Sequence, residues 1–135
     1  LHTAYRRQRQ MCIRDRYTKE DLIDVATSIM NDYAKQFSFI GKNIRLFKKI
    51  LSKAEQLPYP GEMKNLIRSA IAFSKPNDEN DYLRRIYIAL IPNGANIIQD
   101  IRMLRDQGFT LREIEVLTGI SRSTAAREMK GTCDE

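Results

Sequence analysis

Ser121 and Ser123 place two hydroxyls within three residues, beside Arg122 and Arg127. A hydroxyl becomes a nucleophile only when a base removes its proton. The one histidine is His2, and no other base is identifiable at a useful spacing. Two cysteines, Cys12 and Cys133, supply neither a disulfide framework nor a Cys/His metal set. Asp78-Glu79-Asn80-Asp81 lacks the glycine and the distal glutamate of a calcium loop and reads as a helix-capping cluster. No glycine-rich phosphate loop and no acidic pair of defined spacing is present. The expectation is therefore no active site, no metal and no cofactor.

A second constellation is cationic. Lys42, Arg45, Lys48, Lys49 and Lys53 lie in a stretch free of acidic residues. On a helix, Lys42, Arg45, Lys49 and Lys53 share a stripe about 80° wide, with Ile44, Phe47 and Leu51 opposite. These four are candidate phosphate contacts. A solvated face of an amphipathic helix is the favoured reading of the same pattern. Tyr17, Tyr33, Phe37, Phe39 and Phe47 follow helix spacing and are assigned to the core rather than to a base-stacking platform.

The whole chain of 135 residues carries a formal charge of +6, from 23 Lys and Arg against 17 Asp and Glu. Much of that excess sits at the start. Residues 6–16, RRQRQMCIRDR, resemble a translated sequencing adapter, so residues 1–16 are set aside as a disordered artefact. They hold five Arg and one Asp, which leaves 18 basic and 16 acidic residues, +2, in the remainder. An adapter joined to an insert implies that the chain is a fragment of a longer, metagenomic protein. No apolar run approaches the roughly 18 residues of a membrane span.

The rest reads as helix throughout. Thr18-x-x-Asp21 has capping-box spacing and opens a helix over about 19–36. Further helices are expected over about 42–56, 62–73 and 80–90, with Pro58-Tyr-Pro-Gly61 as a turn and residues 75–80 as a loop. Ile97, Ile98, Ile101 and Leu104 mark a helix over 95–107, closed by Gly108. Two short helices follow, about 111–117 and 121–130. Val and Ile never alternate long enough for a strand. The fold class is all-α, a helical bundle over 17–91 of unassigned role followed by a three-helix unit over 95–130.

Thr110-x-x-Glu113 is a capping box, Gly119 permits a sharp turn, Ile120 is an apolar plug, and Ser121 can cap the next helix. The run from Gly108 to Arg127, and TGISRSTAAR above all, resembles the helix-turn-helix of serine recombinases, transposases and small bacterial or phage regulators. The resemblance implies that the last helix enters the major groove of duplex DNA. It assigns the reading of base edges to Ser121, Arg122, Ser123 and Arg127, and a phosphate contact to Lys130. Arg can fork onto guanine, and Ser can bond to bases or phosphates. The chain departs from the family pattern at Glu115, where a small residue is usual. It departs again at Ala125, usually Val or Ile, and at Glu128, usually apolar.

The function expected from the resemblance is sequence-specific duplex DNA binding by a cytoplasmic transcriptional regulator, with no membrane partner. One short helix reads few bases, so a homodimer or a second DNA-contacting element is expected. Two other classes fit the same residues. One is the DNA-binding end of a recombinase or transposase whose catalytic part lay upstream. The other is a helical protein-interaction domain, since similar hairpins occur without touching DNA.

Overall fold

The computed structural model describes residues 17–133, with side chains described as far as Arg127; the adapter-like residues 1–16 lie outside it. Among the described residues there are eight α-helices and no strand, so the protein is all-α. Thr18 opens α1 (Lys19–Ala34) with a complete capping box: its hydroxyl accepts from Asp21 N–H, and its own N–H donates to Asp21 Oδ2, both at 3.1 Å. Leu22, Ala26 and Met30, four residues apart, are its buried stripe. Gly41, at φ +89°, allows the chain to reverse against α1: a Cβ there would lie 3.0 Å from that of Ala34.

Asn43 caps α2 (Ile44–Lys53), whose Leu46, Phe47, Ile50 and Leu51 are buried. Pro60 is the first residue of α3 (Pro60–Phe73) instead of belonging to the preceding turn. The first helical N–H has no intrahelical partner, so proline is accommodated there at no cost in hydrogen bonding. Asp78 caps α4 (Glu79–Leu90), the central helix, which packs against α2, α3 and the later α7. Its Tyr82, Leu83, Ile86 and Tyr87 are buried, and the Tyr82 ring stacks on Phe47 at 6.4 Å.

The helix expected over 95–107 is broken in two. A single turn, α5 (Gly94–Ile97), is followed by α6 (Ile101–Asp106). The break lies at Asp100, whose carboxylate accepts from Arg102 and Met103 N–H and starts a new helix. A short acidic side chain competes in this way with the backbone of a continuing helix. Gly108, at φ +96°, closes α6 as expected. Phe109 N–H reaches Leu104 C=O and Gly108 N–H reaches Arg105 C=O, the paired bonds of a Schellman end, with Phe109 buried beside it.

Thr110 and Glu113 form the second capping box, opening α7 (Leu111–Thr118). Gly119, at φ +80°, ends it, and α8 (Arg122–Cys133) follows after Ile120 and Ser121. One apolar core runs from Ala26 to Ala125, continuous through the loop before Gly94. Three polar ties join α6 and α7 to the earlier helices. Tyr87 Oη donates to Gln107 Oε1 at 2.6 Å, Arg84 Nε donates to Leu117 C=O at 2.7 Å, and Lys49 Nζ donates to Glu113 Oε1 at 2.6 Å.

Of the aromatics assigned to the core, Phe47 is fully buried, whereas Phe37 is 39% exposed. Helix α1 stops at Ala34, so its periodicity no longer governs Phe37, which meets Phe39 edge-on at the rim of a surface groove. No helix among the described residues is long and apolar enough to cross a membrane.

Candidate functional site

Over residues 121–127, helix α8 and its cap meet the body of the protein through a narrow contact. Within residues 121–127 only Ala125 is buried, at 0% exposure; Ser121, Arg122, Ser123, Thr124, Ala126 and Arg127 are all exposed. Ile120 packs against the core at the turn, and α7 and α6 flank the helix. Ser121 caps it. Its Oγ accepts from Thr124 N–H at 3.2 Å and donates to Thr124 Oγ1 at 2.8 Å, with Ser123 Oγ 3.5 Å away. The exposed first turn is thus a cluster of hydroxyls bordered by Arg122, and Arg127 stands exposed one turn farther on.

Arg122 has a partner across the turn. Its Nε lies 3.3 Å from Glu115 Oε2, both side chains about half exposed. Glu115 is the residue at which the chain departs from the helix-turn-helix pattern, and its carboxylate borders a shallow recess with Ser121, Arg122 and Ser123. Arg127 makes no ion pair or hydrogen bond among the described residues. The side chain of Lys130 lies outside the described ones.

The candidate phosphate stripe is divided by the fold. Lys49 is engaged by Glu113 and sits 5.5 Å from the centroid of the Phe109 ring. Burial alone would raise the pKa of Glu113. The Lys49 ammonium and the Thr110 N–H outweigh it and hold the carboxyl below its ordinary value. Lys53 lies over Gly108, its Nζ 3.2 Å from where a Cβ would stand. Lys42 is exposed, while its backbone N–H and that of Asn43 donate to Glu79 Oε2. Arg45 and the engaged Lys49 line a concavity, of about 540 Å³, between α2 and the start of α7, and of these two Arg45 is the exposed one.

The other wall of that concavity carries Arg112, which spacing within either expected element does not single out. Two further groups are structural. Asp81, buried on α4, accepts from Lys75 N–H at 2.9 Å and pairs with Arg85 at 3.3 Å and Arg84 at 3.8 Å. Burial raises its pKa, but these partners prevail and keep it below the usual value. The buried hydroxyl of Tyr82 has no hydrogen-bond partner among the described residues, and burial followed by the nearby charge of Glu79 raises its pKa. Among the described residues no group of three or more His, Cys, Asp or Glu is placed to hold a metal ion.

No family model, no curated protein and no solved structure matches the chain.

Proposed function

We propose that the protein binds duplex DNA sequence-specifically by laying α8 in the major groove, in the manner of a bacterial or phage transcriptional regulator. The observation that carries this reading is the presentation of α8: one fully buried alanine holds residues 121–127, and six of the seven face solvent without an acid among them. A helix used only to close a bundle would bury a stripe of larger apolar residues. A helix is 10–12 Å across with its side chains, matching a groove about 12 Å wide. Ser121, Arg122, Ser123 and Arg127 then meet base edges or flanking phosphates, and the capping role of Ser121 leaves an acceptor lone pair for a second partner.

The test is selection from a pool of randomised duplexes near physiological salt, run beside the Arg122→Ala/Arg127→Ala double variant. Enrichment of a motif that the double variant no longer selects supports groove reading by α8. Equal binding of all sequences, indifferent to both arginines, refutes it.

A further inference from the structure

We propose that the cleft between α2 and α7, bounded by Arg45 and Arg112, is a clamp for the phosphate backbone of the same duplex that α8 reads; this rests on the DNA-binding reading above. The cleft, about 540 Å³, is lined by Asn43, Arg45, Lys49, Thr110, Arg112 and Glu113, with Val116 at its end. Three cations against one carboxylate leave it at +2. The carboxylate is already matched, since Glu113 Oε1 takes Lys49 Nζ at 2.6 Å and Thr110 N–H at 2.8 Å. That pair is the more buried part of the lining, while Arg45 and Arg112 are exposed. Glu79, which follows the N-cap of α4, accepts from the Lys42 and Asn43 amides beside the cleft.

Arg45 and Arg112 are the groups left over. Both are exposed, and neither makes an ion pair or hydrogen bond among the described residues. Two unpaired guanidiniums facing one concavity repel each other, and an anion between them removes that repulsion. Arginine's planar fork suits phosphate oxygens. The site is also continuous with α8. Arg112 and Val116 line the cleft, while Glu115, on the same outward side of α7, borders the recess with Ser121, Arg122 and Ser123. Residues 112 and 115 are only about 4.5 Å apart along the helix axis. A duplex entered by α8 therefore runs past the mouth of the cleft, where its backbone, and no particular base, is the group within reach.

The experiment measures binding of the full chain to a duplex selected from the random pool and to an unselected duplex, each across a salt series. Arg45→Gln/Arg112→Gln should weaken both duplexes alike, by about tenfold to thirtyfold near 0.15 M salt. The slope of log K against log salt should become shallower by about 1.8, two phosphate contacts at about 0.9 each. The preferred motif should not change. Arg45→Lys/Arg112→Lys should restore most of the slope, because the charge is kept. An unchanged slope in the Gln variant, with Arg122→Ala/Arg127→Ala still abolishing selectivity, overturns the clamp and leaves the α8 reading intact. A slope that depends on Arg45 and Arg112, with no motif selected by α8, keeps the clamp and removes groove reading. No binding of either duplex removes both.

Discussion

The Nε of Arg122 lies 3.3 Å from Glu115 Oε2, so the first arginine of the exposed helix is tethered to the helix before it. The tether sets its direction and also opposes its use. To fork onto a guanine, Arg122 must leave Glu115, and the carboxylate must approach DNA phosphates. Glu115→Gln relieves both. An exposed pair of this kind is worth about 0.2–1 kcal/mol, so affinity for the selected duplex should rise by a factor of about 1.4 to 5. Fluorescence anisotropy checks it. Unchanged or weaker binding would mean that Glu115 aims Arg122 more than it restrains it.

Lys49 and Glu113 are separated by 64 residues and joined at 2.6 Å, their side chains 27% and 14% exposed. Lys49→Met should cost about 1–2 kcal/mol at neutral pH, between the values for exposed and for buried pairs. The folded pKa of Glu113 is below its ordinary 4.5, so the contribution is complete above that value and is lost as pH falls through the folded one. Urea unfolding from pH 7 down to about 3 should show the gap between wild type and Lys49→Met closing. A gap constant with pH would assign the loss to packing on Phe109.

Local chemistry made much of this fold legible. Thr18 with Asp21, Thr110 with Glu113, and the glycines 108 and 119 each act within a few residues, so their spacing alone located helix ends. The same holds for the exposed side of α8, where Ser and Arg recur with one small residue inward. What spacing could not show is long-range. Asp100 reads equally as a solvent-facing helical residue until its carboxylate is seen capping α6. The stripe from Lys42 to Lys53 looked uniform because its partners, Glu113 and Phe109, come from the far end of the chain. Arg112 gained meaning only when α7 was placed beside Arg45.

Tyr82 carries a hydroxyl that the core does not need. Its ring stacks on Phe47 with planes 12° apart, while its Oη is buried without a partner among the described residues. Removing a buried unsatisfied group while keeping the ring relieves a desolvation penalty of about 1–3 kcal/mol, partly offset by lost dispersion contacts. Tyr82→Phe should therefore be neutral or stabilise by about 1 kcal/mol in urea unfolding. A loss of more than about 1 kcal/mol would show that the hydroxyl is bonded in solution, for instance to a trapped water.

Ala125, with no exposed surface, is the buried contact of α8 among residues 121–127. Ala125→Asp would put a carboxylate into that contact with no cation assigned to meet it, at a cost of several kcal/mol. Among the described residues α7, α6 and the plug of Ile120 are what α8 packs on, whereas the core from Ala26 to Leu117 is closed by other helices. The cheaper response is to detach the 12-residue α8 and leave the rest folded, since stability is distributed unevenly along a chain. Hydrogen exchange should then show protection lost in α8 and kept in α2 and α4, with selective duplex binding abolished and the salt-dependent, unselective component retained by Arg45 and Arg112. Loss of protection throughout would mean that α8 folds as one unit with the bundle, and that the helix offered to DNA is also part of what holds the protein together.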